Sequence, residues 1–132
     1  MRIIEGAGVW TPLVDGAAND WVEHLRVSAL SVGTHCIPAG GLDTQSPHTE
    51  DEIYVVTAGR AKIVTPDGTA EVGPGSVIFV PAGEEHRFDE VTETWHCSWC
   101  SARHTARARR VGESLLRPDR LKLRVKVRAL VP

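Results

Sequence analysis

The chain has 132 residues, a net charge of −2 and 42% hydrophobic residues, which is ordinary for one globular domain. No apolar run approaches the ~20 residues that a membrane-spanning helix needs, and the first residues lack the apolar stretch of a signal peptide. Three cysteines, an odd number, do not indicate a disulfide framework. We therefore expect a cytoplasmic protein that has no membrane partner.

The charge is distributed unevenly along the chain. Residues 1–100 carry 5 Lys or Arg and 15 Asp or Glu, whereas residues 101–132 carry 10 and 2. Such a shift marks two kinds of segment, so we predict a single domain over 1–100 and a basic C-terminal extension over 101–132. The extension has no aromatic stacking platform, and we predict that it does not bind nucleic acid.

Short apolar runs separated by Gly and Pro fill the first hundred residues. The predicted strands are 25–32, 35–37, 53–57, 61–64, 70–72, 77–80 and 86–91. Pro66-Asp67-Gly68 is a strong hairpin signal, because Asp-Gly readily adopts the positive φ angles of a tight turn. A turn is also expected at Ala58-Gly59-Arg60. Strands at this close spacing predict an all-β sandwich or barrel.

Two apolar strands carry the residues of a candidate metal site. His48 and Glu52 lie four residues apart where the first strand begins, and His86 follows a Pro-Ala-Gly turn at the end of the second. Histidine and carboxylate ligands with open positions left over suit a first-row divalent ion such as Fe, Mn, Ni or Zn.

These segments resemble the two motifs of the cupin family. The second motif, G-x5-P-x-G-x2-H-x3-N, is matched by Gly75, Pro81, Gly83 and His86, with Glu90 in place of the final Asn. The first motif, G-x5-H-x-H-x3-4-E-x6-G, is matched by His48, Glu52 and Gly59. The resemblance covers roughly residues 25–95 and implies a cupin-type double-stranded β-helix, or jelly-roll barrel.

The first motif departs from the family pattern at one ligand. The family's first His would fall at Ser46, which is a poor metal ligand. Gln45, through its carbonyl oxygen, is the nearest substitute, and Asp43 is a further candidate. The resemblance therefore implies one divalent ion held by three ligands, His48, Glu52 and His86, and Gln45 is the candidate for a fourth; a degenerate barrel without metal is the alternative.

Four apolar or aromatic residues of the motifs are predicted to line the barrel pocket: Tyr54, Val56, Phe79 and Phe88. No catalytic role is assigned to Tyr54. We predict that the protein binds or transforms a small polar metabolite, with a preference for a dioxygenase. A non-catalytic sensor and a cupin isomerase, decarboxylase or lyase remain alternatives, because the barrel alone does not choose between them. The family resemblance also implies a homodimer that pairs through sheet edges, provided that the closing strand is intact.

The segment 94–101 is unusually rich in Trp and Cys where the resemblance implies a buried apolar strand. Its Cys97-x-x-Cys100 pair lacks the helix context of a redox motif. One codon choice for 94–101, shifted by a single base, encodes Asp-Leu-Ala-Leu-Leu-Val-Val-Phe, which suits a buried strand. We therefore hypothesise a frameshift after Glu93, with a poorly ordered extension as its product. The alternative is a genuine extension, in which 121–128 alternate apolar and basic residues.

Overall fold

The computed structural model describes residues 1–8 and 17–103, and within these ranges the regular structure is entirely β. The six strands are β1 (Asp20–Arg26), β2 (Leu30–Ile37), β3 (Asp51–Thr65), β4 (Gly68–Val72), β5 (Val77–Val80) and β6 (Arg87–Ala102). The prediction of an all-β chain is confirmed for this part of the protein.

All strand pairs are antiparallel, and they form one sheet in the order β1-β2-β6-β3-β4, with β5 paired to β3. The two long strands, β3 and β6, have 15 and 16 residues and pair with each other. The first part of β3 also pairs with β5, and its last part pairs with β4. The two long strands therefore join the two halves of the sheet.

A β-bulge lies where the sequence predicts a turn at Ala58-Gly59-Arg60, and that prediction is wrong. β3 continues through these residues, with register shifts against β6 on both sides of Ala58 and Arg60. Gly59 has a φ of 79°, and a Cβ at this position would lie 2.2 Å from the carbonyl oxygen of Thr94. Only glycine tolerates this conformation and this close approach, so the strand bends here and does not reverse.

Two hairpins differ in how well the sequence predicts them. The β3–β4 hairpin turns after Thr65 and resumes at Gly68, as the Pro-Asp-Gly signal predicts. The predicted strand 25–32 is instead broken into β1 and β2, because Val27 N donates a 2.9 Å hydrogen bond to Leu30 O and the chain turns back. No Gly or Pro marks this turn in the sequence.

The core lies on one face of the sheet, where alternate residues of the long strands point. The alternation buries Glu52, Tyr54 and Val56 in the first part of β3 and Trp95, Cys97 and Trp99 in the last part of β6. Neighbouring aromatic rings fill the interior. This period of two is the natural alternation of a strand with one covered face.

The segment 94–101 forms the last part of β6 and pairs with both β2 and β3. Trp99 stacks on Trp21 with ring centroids 4.5 Å apart, and it lies over Gly33, where a Cβ would come within 2.4 Å of the indole. Its indole nitrogen is buried with no hydrogen-bond partner among the described residues. The frameshift hypothesis stays a prediction, and residues 104–132 of the predicted extension lie outside the described residues.

Candidate metal centre

Three predicted ligands converge at one end of the core. His48 lies in the loop before β3, Glu52 is the second residue of β3, and His86 directly precedes β6. Their ligand atoms all lie within 4.8 Å of one another. Glu52 Oε2 is 3.2 Å from His48 Nε2 and 3.9 Å from His86 Nε2. We call these three residues the triad.

Backbone contacts between the two motif segments bring the triad together. Gly83 N donates to His48 O at 2.7 Å, and Ala82 N donates to a carboxylate oxygen of Asp51 at 2.9 Å. The turn that precedes His86 is therefore fastened to the loop that carries His48. The register of β5 on β3, with Glu52 opposite Val80, sets the end of β5 beside the carboxylate.

Tyr54, which is predicted above only to line the pocket, contacts two members of the triad and Gln45 through its hydroxyl. Its hydroxyl donates to Glu52 Oε2 at 2.5 Å and lies 2.9 Å from His86 Nε2. The residue is 2% exposed. Burial, followed by the charge of Glu52, raises the pKa of Tyr54 far above its ordinary value, so the hydroxyl stays protonated. The signal in the sequence was the spacing, because residues two apart on a strand share a face.

A hydrogen bond orients His86. Its Nδ1 lies 3.0 Å from the carbonyl oxygen of Glu84 and donates to it. This contact leaves the lone pair of Nε2 facing Glu52 and Tyr54. Metal-binding histidines in proteins are usually oriented in this way, by a donation from the second ring nitrogen to a carbonyl or carboxylate.

Gln45 also reaches the triad, whereas Ser46 is exposed. The amide oxygen of Gln45 lies 3.1 Å from the Tyr54 hydroxyl and 3.3 Å from His48 Nε2. Its amide nitrogen donates to a carboxylate oxygen of Asp43 at 2.7 Å. Of the two substitutes that the sequence suggested for the missing His, Gln45 contacts the triad directly and Asp43 contacts Gln45.

The predicted pocket residues divide between the two faces of the sheet. Tyr54, Val56 and Phe88 are each 2% exposed and lie in the core. Phe79 is 51% exposed, so the prediction that it lines the pocket is wrong. The register of β5 pairs Phe79 with the outward-facing Ile53. A continuous apolar run does not reveal which of its residues face inward.

Two cavities flank the triad and share the loop segment that holds Asp43 and Gln45. One has a volume of about 420 Å³ and is lined by His86, Arg87 and Thr65 among others. The other has a volume of about 300 Å³ and reaches His48, Trp21 and His35. His35 is 2% exposed, and burial lowers its pKa, so it is a neutral wall residue.

The remaining candidates lie away from the triad. The side chain of Glu90 is 62% exposed and pairs with Lys62, so it does not face the triad. Cys97 is buried, whereas Cys100 is partly exposed on the opposite face of β6. Two strand residues three apart point in opposite directions, so the CxxC pair does not form a dithiol site.

The donor set of the triad suits a divalent cation. Glu52 is 3% exposed, and a buried carboxylate needs a paired charge or a metal. In the described part of the chain its ionic contacts are the two histidines, with no Lys or Arg among them. The separations of 3.2 and 3.9 Å fall within the roughly 2.8–4.4 Å expected between two ligands of one ion at usual bond lengths. Histidine nitrogens and a carboxylate oxygen are the ligands of open first-row metal sites.

Sequence and fold comparisons place the chain in a family. The model of the cupin domain, Cupin_2, matches residues 33–102. An uncharacterized protein of Streptomyces coelicolor is 44% identical over 79 residues, which cover 58% of this chain and 75% of that protein. The protein belongs to the cupin family, and its sheet is a cupin β-barrel.

Solved structures agree with the fold. The Cnp3 cupin domain of Schizosaccharomyces pombe is similar with a TM-score of 0.63 and 17% identity, over 76% of this chain and 77% of that one. The DMSP lyase DddQ of Ruegeria pomeroyi gives a TM-score of 0.62 and 17% identity, over 80% of this chain and 56% of that one. At such identities the likeness concerns the fold alone. Within the described residues, no helix is long and apolar enough to cross a membrane.

Proposed function

We propose that this protein is a metal-dependent cupin that holds one divalent ion at His48, Glu52 and His86 and acts on a small polar metabolite beside it. The observation that carries the proposal is the triad, in which two histidines meet the buried carboxylate of Glu52 and no Lys or Arg of residues 1–8 and 17–103 forms an ion pair with it. Fe, Mn, Ni and Zn are the candidate ions.

The residues around the triad support chemistry as well as binding. When bound, the ion would supply Lewis-acid or redox chemistry at the mouth of the barrel. In the metal-free site Tyr54 keeps its proton between Glu52 and His86, so its hydroxyl can donate a hydrogen bond to a ligand. Phe88 and Val56 exclude water from the inner side.

The cavities limit the kind of ligand. A volume of about 420 Å³ suits a small metabolite. Its walls offer Thr65 and one cation, Arg87, whose side chain is 56% exposed and lies near Asp89. Asp43 and Glu85 also line this cavity and make it acidic, so a neutral or singly charged polar ligand fits better than a polyanion.

Among the possible reactions we favour a dioxygenase, since two histidines and a carboxylate with open positions suit Fe(II). The competing function is a non-catalytic sensor. The hydroxyl of Tyr54 lies beside the proposed ligands as an additional hydrogen-bond donor, and this favours an enzyme over a sensor. Oxygen uptake by the Fe(II)-loaded protein, with a panel of small hydroxy and keto acids, distinguishes the two, because a sensor binds ligands without turnover.

The experiment that tests the metal site is elemental mass spectrometry on protein purified without chelator or His tag. We expect about one equivalent of a transition metal, lost in His48→Ala and retained in His24→Ala. His24 is a matched control, because it lies on β1 and its ring bonds Thr34, outside the triad. Absence of metal from the wild type, together with no thermal shift on adding any of the four ions, overturns the proposal.

We also propose a cytoplasmic homodimer. Four apolar side chains, those of Ile53, Val55, Val77 and Phe79, are exposed on the outer face of the β3–β5 pair. An apolar patch of this kind is typical of an interface. Light scattering coupled to gel filtration measures the molecular mass, and a monomer at micromolar concentration contradicts the dimer.

A further inference from the structure

A glutamine and an aspartate lie where the family's first His is missing. Ser46, at the family position, is exposed, and the neighbouring Gln45 turns inward. The Gln45 side chain places its amide oxygen 3.1 Å from the Tyr54 hydroxyl and 3.3 Å from His48 Nε2. A carbonyl oxygen is thus presented at the edge of the triad.

Asp43 decides which end of the amide faces the triad. One of its carboxylate oxygens accepts the Gln45 side-chain N–H at 2.7 Å and the Phe88 backbone N–H at 2.8 Å. The other accepts the Gln45 backbone N–H at 3.2 Å. A carboxylate only accepts hydrogen bonds, so it holds the NH₂ end of the amide, and the oxygen must face the opposite way.

We propose that Gln45 supplies a fourth metal ligand through its amide oxygen and that Asp43 is the positioning residue that holds this orientation. This inference rests on the proposed metal site. An amide oxygen in place of an imidazole nitrogen shifts the preference of the site toward Mn²⁺ relative to Ni²⁺ and Zn²⁺, because carbonyl ligands suit Mn and imidazole suits Ni and Zn.

The orientation matters because the two ends of an amide act oppositely on a cation. With the oxygen inward, the dipole of the amide attracts the ion, whereas an inward NH₂ group would repel it. The Asp43 carboxylate also connects Gln45 to the start of β6, because it accepts the backbone N–H of Phe88, two residues beyond His86. The loop ligand and the strand ligand are thereby held at a fixed separation, as a preorganised site requires.

A double-mutant cycle tests the positioning role. We expect Gln45→Ala to lower the Mn²⁺ affinity by about tenfold or more, and Asp43→Asn to lower it by a similar factor, because outer contacts to metal ligands typically contribute 10–100-fold. Mn²⁺ binding is read directly from the loss of its free electron paramagnetic resonance signal. In the Gln45→Ala background, Asp43→Asn should change the affinity no further, because its effect passes through Gln45.

The cycle has outcomes that contradict the inference. If Asp43→Asn lowers the affinity equally in both backgrounds, Asp43 acts through the Phe88 contact and has no positioning role toward Gln45. If Gln45→Ala binds Mn²⁺ as tightly as the wild type, Gln45 is not a ligand, while the triad proposal stands. If the wild type binds no ion, the triad proposal fails and this inference with it.

The selectivity is tested by Gln45→His, with Ser46→His as the matched control. Competition with a chelating dye for Ni²⁺ and resonance titration for Mn²⁺ give the ratio of the two affinities. We expect Gln45→His to raise the Ni²⁺ to Mn²⁺ ratio by about tenfold, and the exposed Ser46→His to leave it unchanged. An unchanged ratio in Gln45→His, or an equal rise in Ser46→His, refutes the role assigned to the amide oxygen.

Discussion

Removal of the Tyr54 hydroxyl is the sharpest test of the hydrogen bonding around the triad. The single phenolic proton has three acceptors within reach, and the contact to Glu52 Oε2 at 2.5 Å is the shortest. A hydrogen bond to a charged group contributes about 1.5–3 kcal/mol. Tyr54→Phe keeps the ring against Phe88. We therefore expect the metal-free variant to lose about 2 kcal/mol of unfolding free energy at neutral pH.

The assay is equilibrium urea unfolding of chelator-treated protein, followed by tryptophan fluorescence. In a Glu52→Gln background the acceptor is neutral, so the cost of Tyr54→Phe should fall to about 1 kcal/mol. Thr57→Val is the matched control, because it removes an exposed hydroxyl from the same strand and should cost no more than about 0.5 kcal/mol. An equal cost of Tyr54→Phe in both backgrounds would refute the assigned bond to the carboxylate.

Three further predictions follow from local geometry and pKa shifts. Burial raises the pKa of Tyr54, the only tyrosine, so the free energy of unfolding is unaffected by this group below the unfolded pKa near 10 and falls by about 1.4 kcal/mol per pH unit above it. Tyrosinate absorbance should appear only on unfolding, and its appearance in folded protein near pH 11 contradicts this prediction. Glu90 has a φ of 47°, which asparagine adopts more readily than glutamate, and its ion pair with Lys62 is exposed. Glu90→Asn should therefore raise the free energy of unfolding by up to about 1 kcal/mol in thermal unfolding, and a lower free energy of unfolding contradicts the backbone strain. Burial raises the pKa of the Cys97 thiol to about 12, so a thiol reagent should modify Cys100 well before Cys97 under native conditions. Peptide mass mapping measures the two rates, and equal rates would show that Cys97 is accessible.

The sequence predicted those parts of the site that depend on the spacing of residues close together in the chain. His48, Glu52 and His86 stand at the ends of apolar runs beside turn residues, and such positions open onto the mouth of a barrel whatever its details. The β3–β4 hairpin follows in the same way from Pro66-Asp67-Gly68. Whether the triad binds metal stays a prediction, because a ligand pattern shows which atoms are available and not their occupancy.

Other predictions were wrong because the sequence of a strand does not show which of its two faces points into the core. Phe79 belongs to an uninterrupted apolar run, and only the pairing of β5 with β3 turns it outward. Tyr54 was predicted to line the pocket, but its hydroxyl contacts the triad. Glu52 and Tyr54 share one face of β3, and the fold brings His86, 32 residues later in the chain than Tyr54, to the same face. Ala58-Gly59-Arg60 carries a turn composition, but contacts with Thr94 make it a bulge.

The identity of the ligand residues follows from the sequence: an all-β cupin chain has two histidines and a glutamate at family positions and a serine where a third histidine is usual. The arrangement of these side chains follows from contacts between distant segments. The orientation of the Gln45 amide depends on Asp43, whose carboxylate is anchored by Phe88 N, 45 residues along the chain. Spacing along a strand predicts which side chains share a face, whereas hydrogen bonds between distant segments determine which atoms meet.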